Sequence, residues 1–329
     1  MAKSENQKLK LLYISKILYE QTDEDHPIST VELIKQLGSY DIKAERKSIY
    51  TDIEALKDFG LDIGYNSSRT SGGYFLMSRE FELAELKMLV DMVQASRFLS
   101  AKKSRDLIKK LENLTDIHEA RQLSRTVYVT NRVKSENETV FYSVDKLHHA
   151  INEDKAVTFQ YYEYTTKKEL SPKKNGQLYH VSPYYLVWAN ENYYLVGVDE
   201  KVGIIKHYRV DRMKSIDETD NNRTYSELFD KFDIAAYTNG VFGMFGGEVR
   251  KVTLECNNEL IGVIIDRFGK DAMIAKKSDT TFTVTVSVAC SGQFYGYLAG
   301  LGHRAKITAP QDIRTAYHDY IGQIYMLSE

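Results

Sequence analysis

From Asn192 to Met213 the chain runs NYYLVGVDEKVGIIKHYRVDRM. Aromatic and aliphatic residues alternate up to Gly197, and after a short turn Lys206, His207, Tyr208, Arg209 and Arg212 crowd into one short run. Two adjacent strands of this content bring cationic and aromatic groups onto one surface, which suits an anionic, flat or phosphorylated ligand. Arginine holds phosphate through a two-pronged hydrogen bond, and tyrosine stacks on a base. Residues alternate across a strand, so Lys206, Tyr208 and Val210 share one face while His207, Arg209 and Asp211 share the other. A regular strand therefore does not present Lys206 and Arg209 together, unless a bulge re-aims one of them. The cationic set is Arg209, His207 and Arg212, with His180, Ser182 and Tyr194 contributed by neighbouring strands and Lys206 as a weaker member. Plainer roles fit the same residues: Tyr193 and Leu195 as core, Arg209 and Arg212 as partners of Asp211 or Asp217, and the histidines as ordinary sheet residues.

Catalytic signatures are missing. No Ser-His-Asp arrangement, phosphate-binding glycine loop or dinucleotide fingerprint can be named, so recognition rather than catalysis is expected, with no cofactor. His148 and His149 are adjacent on a predicted helix and lack metal spacing, and Cys256 and Cys290 stand far apart, so no metal site is expected. Two cysteines without a framework indicate a reducing compartment. No run of about 18 apolar residues occurs, and MAKSENQKLK lacks an apolar signal core. The expected location is the cytoplasm, without membrane association. With a formal charge of −2 over 329 residues, any nucleic-acid binding must come from a local patch. The 24 tyrosines suit half-buried strands and wet binding surfaces.

The elements that must position these residues follow from periodicity. Lys8 to Glu20 carries Leu11, Leu12, Ile14, Ile17 and Leu18 at helical spacing. Ser29 and Glu32 form a capping box for a short helix to about Leu37, which Gly38 is expected to stop. A third helix spans about Ala44 to Phe59, with Ile49, Ile53 and Leu56 inward. Asp62–Tyr65 and Gly73–Met77 predict two short strands around a polar loop. Three helices and a hairpin in this order predict a winged helix-turn-helix. Phe81 to Leu114 predicts one or two long helices, and Asp116 to Glu138 a polar linker. Past a short helix from Val144 to Asn152, five strands follow: Ala156–Tyr164, Tyr179–Ala189, Asn192–Val198, Val202–Tyr208 and Arg212–Ile216. That spacing predicts a small, strongly curved antiparallel sheet or barrel. A loop containing Asn221 and Asn222 comes next, and Tyr237 to Gly247 predicts a flexible connector. The remainder predicts three strands (Arg250–Cys256, Thr281–Val288, Ala305–Ile307) and helices over Glu259–Phe268, Gly292–Leu301 and Pro310–Leu327.

In a winged helix the second helix of the pair enters the major groove. Here that leaves Arg46, Lys47, Ser48, Tyr50 and Thr51 directed outward, able to reach phosphates or base edges, while Arg69 sits in the hairpin loop where a wing would meet DNA. A solvated helix face is the plainer alternative. Residues 1–80 hold 11 Lys and Arg against 13 Asp and Glu, so attraction to DNA is weak overall and leans on dimerisation.

The run RKSIYTDIEALKDFGLDI with GGYFL in the wing resembles the DeoR-like winged helix that opens WYL-type transcription factors of bacteria, over residues 8–78. It departs at Thr51, where the family commonly has arginine. Tyr193-Tyr194-Leu195 resembles the name-giving triplet, with tyrosine for tryptophan. His180 to Leu186 and Lys206 to Met213 resemble the flanking blocks, over residues 140–218. Residues 248–328 resemble the extension found after many WYL domains. The resemblance implies a multidomain α+β chain: a winged helix-turn-helix (1–79), a helical linker (80–138), an SH3- or Sm-like antiparallel β-barrel that senses ligand (139–220), a connector (221–247) and a ferredoxin-like α/β extension for dimerisation (248–329). It further implies a homodimeric regulator of operator DNA answering an anionic, nucleotide-like or nucleic-acid effector. A sensor of single-stranded nucleic acid in stress or phage-defence control is the alternative. A winged-helix enzyme of the biotin-ligase type is disfavoured, because no adenylate loop is present.

Overall fold

The computed structural model describes residues 7–68, 72–123, 134–135, 137–225, 229, 234, 240–244 and 247–327. The chain divides into two compact units, residues 1–138 and 139–329.

The first unit opens with α1 (Lys10–Gln21), α2 (Thr30–Ser39) and α3 (Arg46–Asp58), followed by an antiparallel hairpin of β1 (Ile63–Asn66) and β2 (Gly73–Leu76). Ile14, Ile17 and Leu18 of α1, Leu33 and Leu37 of α2, and Ile49, Ile53 and Leu56 of α3 meet in one buried cluster with Ile63 and Leu76. Each such side chain contributes about 1.5–3 kcal/mol on full burial. Ser29 caps α2 by accepting the Glu32 amide hydrogen at 3.2 Å, one half of the expected capping box. Gly38 does not stop that helix, which continues to Ser39. The chain turns instead at Asp41, in the left-handed region at φ 58°. Gly73 is needed for close approach. Ile28 bridges to Tyr74 beside the hairpin, and a Cβ on Gly73 would stand 2.3 Å from the Ile28 carbonyl.

Three more helices follow: α4 (Leu83–Ala95), α5 (Ala101–Glu112) and α6 (Ile117–Leu123). The last corrects the expected polar linker over Asp116 to Glu138. Asp116 starts that helix by accepting the amide hydrogens of His118 and Glu119 at 2.8 and 3.0 Å. It is fully buried and lies 3.3 Å from Arg79, which also donates to the carbonyls of Tyr19 and Thr22. One guanidinium thus ties the end of the hairpin, the end of α1 and the start of α6 together.

The second unit begins with α7 (Val140–Asn152) and a six-stranded antiparallel sheet: β3 (Lys155–Tyr164), β4 (Leu170–Pro172), β5 (Tyr179–Ala189), β6 (Asn192–Asp199), β7 (Ile204–Arg209) and β8 (Met213–Asn222). The path runs β4-β3-β5-β6-β7, and β8 pairs β3. Strand β4 has no sequence signal strong enough to separate it from its turn. Asn221 and Asn222 end β8 rather than forming a loop, with Asn222 paired to Lys155. Register shifts in the β3–β8 and β5–β6 pairings bend the strands and curl the sheet. Inward residues of β3, Val157 and Phe159, are fully buried. Phe159 stacks on Tyr179 at 5.5 Å and meets the edge of Tyr208 at 5.1 Å.

The C-terminal part has the order β9 (Val249–Asn257), α8 (Ile261–Phe268), β10 (Met273–Lys276), β11 (Thr281–Ala289), α9 (Gly292–Gly300), β12 (Ala305–Ala309) and α10 (Gln311–Met326). Its four antiparallel strands lie in the order β10-β11-β9-β12, one more than expected. The extra one, β10, is a short, mostly exposed edge strand. Alternating Val252, Leu254 and Cys256 of β9 and Val284, Val286 and Val288 of β11 pack with Phe294 and Leu298 of α9. Burial pushes the Cys256 thiol up to about 11, so it serves as a small apolar core residue. No helix among the described residues is long and apolar enough to cross a membrane.

Replacing Arg79 by alanine leaves the Asp116 carboxylate buried without its cation. Urea denaturation of the full chain is expected to show a loss of about 3–5 kcal/mol in the transition of the first unit, against about 0.5 kcal/mol or less for the exposed Lys35→Ala.

Candidate functional site

Two surfaces carry the residues singled out above. On α3, Arg46, Lys47, Tyr50 and Thr51 are exposed and share one side of the helix, since positions four apart neighbour each other. Arg46 Nε donates to the Tyr50 hydroxyl at 2.7 Å, which holds the guanidinium along the helix. Thr51 donates to the Lys47 carbonyl at 3.3 Å. Ser48 departs from expectation. It is half-buried and accepts from Lys10 Nζ, which also lies 2.6 Å from Asp52. That hydroxyl braces α1 against α3 rather than facing outward. Arg69 lies outside the described residues. Sequence reasoning missed Tyr65 and Tyr74, whose rings sit 5.0 Å apart on the hairpin. Burial first, then the nearby phenols of Tyr50 and Tyr65, raises the Tyr74 phenol, so the hairpin tyrosines stand beside the exposed side of α3.

In the second unit a cleft of about 430 Å³ is lined by Tyr161 of β3, Tyr194 of β6, Ile205, Lys206, His207 and Arg209 of β7, Arg212, Gly243 and Met244. It lies where β7 ends and a short turn over Val210–Arg212 leads into β8. Strand alternation sorts the charges. Lys206 and Tyr208 both reach Asp199, at 2.7 and 3.3 Å, so the Lys206 ammonium is engaged away from the other cations. His207 and Arg209 belong to the opposite side of β7. The Arg209 fork grips Asp211 at 3.0 and 2.8 Å and donates to Asn192 at 2.9 Å. The expected weight on Arg209 therefore shifts: that guanidinium is oriented but already matched by a carboxylate. Arg212 is the better hook for an anion. Its Nε is buried and has no hydrogen-bond partner among the described residues.

His180 and Ser182 do not join this cleft. Ser182 is fully buried, donates to Glu200 at 2.8 Å and accepts the Thr224 amide hydrogen at 2.8 Å, and His180 is exposed on β5 opposite Thr158. Both sit at the start of β5, whereas the cleft forms at the far strands. Sequence reasoning missed Tyr161, Ile205, Gly243 and Met244. Tyr161 was findable, since it continues the inward alternation of Val157 and Phe159.

The electrostatics favour protonated phenols and a neutral imidazole. Burial raises the Tyr161 phenol, against the Arg209 amide hydrogen bond and the two guanidiniums, which lower it. Burial likewise raises Tyr194. Burial lowers the His207 imidazole, opposed by a hydrogen bond with the Met244 backbone. For Arg209 burial alone would lower the value, but Asp211 outweighs it and raises it. The cleft thus presents the guanidiniums of Arg209 and Arg212 beside two aromatic walls, with the Lys206 ammonium turned to Asp199.

A curled sheet bearing a tyrosine-walled, arginine-lined cleft, followed by a helix-backed four-stranded sheet, defines a pair of domains, and both have family counterparts. Residues 142–218 match the WYL domain. Residues 248–325 match the WCX domain. Solved structures with likeness to the chain include the proteasome accessory factor B/C (PafBC) of Arthrobacter aurescens, at 16% identity over 96% of this chain and 46% of that one, with a TM-score of 0.28. Another is a CRISPR Cas-related protein, at 13% identity over 98% and 83% of the two chains, with a TM-score of 0.37. The chain spans about half the length of the Arthrobacter protein. No curated protein matches it.

Two outcomes test this geometry. The Arg209 amide donates to the Tyr161 hydroxyl at 3.1 Å, so Tyr161→Phe removes an acceptor at the seam of the sheet and is expected to cost about 1–3 kcal/mol, read as a lowered denaturation midpoint. For Asp199, burial would raise the carboxyl, but Lys206 and the Lys201 amide outweigh it and hold it below the ordinary range. Its contribution is complete above about pH 4 and is lost as pH falls through the depressed folded-state value. Asp199→Asn should therefore lower stability at neutral pH and flatten the acid limb of a stability–pH profile.

Proposed function

We propose that this chain is a ligand-responsive, DNA-binding transcriptional regulator and not an enzyme. In this reading residues 1–79 form a winged helix-turn-helix that docks α3 in the major groove of operator DNA. Residues 80–138 are a helical linker, 139–220 an SH3- or Sm-like sensor barrel, 221–247 a connector, and 248–329 a ferredoxin-like extension through which two copies pair in the cytoplasm. The order of three helices and a hairpin, with Arg46, Lys47, Tyr50 and Thr51 exposed on one side of the third helix, supports the DNA-binding part.

The observation that carries the sensing part is the buried Nε of Arg212, without a hydrogen-bond partner among the described residues, in a cleft walled by Tyr161 and Tyr194. A buried guanidinium nitrogen without an acceptor is costly, and an anionic oxygen from a bound molecule relieves that cost. Neutral phenols and an uncharged imidazole supply flat, polar walls, so the effector class is an anion bearing an aromatic ring, of which a nucleotide is the simplest example. Arg209, pinned by Asp211, orients the site.

A second reading, with single-stranded nucleic acid as effector, draws on two lysine–tyrosine pairs of the second unit, since cations on aromatic rings are the kind of surface that single strands bind. Lys214 Nζ lies 4.4 Å from the Tyr162 ring centroid and Lys174 Nζ 4.5 Å from that of Tyr179.

Mass spectrometry of small molecules and oligonucleotides released on denaturing the purified chain should identify a phosphorylated aromatic compound. Titration with mononucleotides and with short single strands then separates the two effector classes. Arg212→Ala is expected to weaken effector binding at least tenfold and to leave operator binding by the effector-free chain intact. Loss of operator binding in a folded Arg212→Ala chain would refute the sensor assignment. Arg46→Ala and Lys47→Ala should each weaken a gel shift about three- to tenfold, and unchanged shifts for both would refute the recognition-helix assignment.

A further inference from the structure

The cleft is not made by the WYL domain alone. Two of its lining residues, Gly243 and Met244, lie beyond residue 218 and before residue 248, between the two matched domains. The described segment Gly240–Met244 is anchored on both sides. Val241 and Met244 are buried among Val187, Tyr194 and Val196 of the curled sheet, together with Ala289 of β11. Phe242, between them, points into the other core, against Phe268, Phe294 and Tyr297.

Further contacts fix this arrangement. Arg267 of α8 places its guanidinium 4.2 Å from the Phe242 ring centroid and donates to the Val241 carbonyl at 3.3 Å. Gly240 lies so close to β11 that a Cβ there would stand 2.6 Å from the Ser287 carbonyl oxygen. Gly243 and Met244 both take left-handed backbone conformations, at φ 61° and 59°. For methionine this conformation is disfavoured, and it persists only where surrounding contacts over-determine it. On the cleft side, His207 hydrogen-bonds the Met244 backbone.

We infer that Gly240–Met244 is a strap that completes the ligand site as a further wall, and that Phe242 and Arg267, outside the cleft, are positioning residues for ligand binding. The inference rests on the sensing function assigned above to the cleft. A molecule seated against Arg212 and Tyr194 meets the strap at Met244, and the strap can shift there only if Phe242 moves within the C-terminal core. Occupancy is thereby coupled to the packing of α8 and α9 on their sheet. No diffusing partner is required, because the strap belongs to both cores.

The test uses the full chain and three variants: Gly240→Ala, which forces the strap off Ser287; Arg267→Gln, which removes the cation over Phe242 and weakens the hold on Val241; and Arg212→Ala. Each is titrated with AMP and with pentathymidylate, and the His207 imidazole signal is followed by NMR in the unliganded state. Gly240→Ala and Arg267→Gln are expected to lower affinity for whichever probe binds the unaltered chain by at least tenfold. They should also shift the His207 signal toward that of an exposed imidazole. Arg212→Ala is expected to abolish probe binding without releasing the strap. If Gly240→Ala and Arg267→Gln both bind the probe as the unaltered chain does while Arg212→Ala does not, the strap inference is overturned and the cleft assignment stands. If neither probe binds the unaltered chain, or Arg212→Ala binds as well as it does, the cleft assignment fails and the strap inference with it. Arg267→Gln, at a half-buried side chain, keeps the test decisive should Gly240→Ala fail to fold.

Discussion

The Tyr161 hydroxyl accepts the Arg209 amide hydrogen across the seam of the curled sheet, and the geometry of the cleft depends on that contact. Strand β7 ends the strand order while β8 pairs β3 off that path, and the two are connected through the turn at Val210–Arg212, with no ladder between them among the described residues. Something other than backbone pairing has to bring the end of β7 to β3. A phenol does so, and its ring sits on the Phe159–Tyr179–Tyr208 cluster. The same side chain is therefore core on its lower side, seam closure at its tip and cleft wall on its exposed side. Tyrosine suits this position because its body is apolar and its end is polar.

Charge placement follows one theme. Where cations lie near the sheet they are nearly all assigned: Lys206 to Asp199, Arg209 to Asp211, Lys173 to Glu163 and Arg223 to Asp154. Against that background, Arg212 lines the cleft with a buried Nε that has no hydrogen-bond partner among the described residues. On the first unit the same economy holds, since Lys10 is committed to Asp52 inside the bundle and the cations of α3 left exposed are Arg46, Lys47 and Lys57, the last paired with Glu54. A chain with net charge −2 keeps nonspecific attraction to polyanions low.

Much of this organisation was legible in the residues. The period of Ile49, Ile53 and Leu56 set the inner side of α3, and strand alternation separated Lys206 from Arg209. Both are local regularities, fixed by helix and strand geometry. What the sequence hid was long-range. Nothing near Arg209 announces that Tyr161 will meet its amide, and nothing near Arg79 announces Asp116. Ser182 and His180 looked like site residues because they sit in a block resembling the family strand, but their position along β5 puts them at its start, away from the cleft. The turn at Asn190–Glu191, left-handed at both residues, carries the asparagine that favours such turns but not the usual glycine. Met244 is harder still, since a left-handed methionine has no sequence signature and becomes visible only when Met244 and Phe242, two residues apart, are seen to be buried in different cores.

The connector position of Gly243 and Met244 also bears on how such a chain can be taken apart or recombined. Boundaries drawn at the ends of the two matched segments treat the intervening residues as a spacer of adjustable length. Here Gly243 and Met244 line the cleft, and Val241, Phe242 and Met244 are buried in two cores. A piece that keeps every described wall of the cleft is the whole of residues 139–329. A graft of the curled sheet by itself would carry the arginines and leave behind the wall they face.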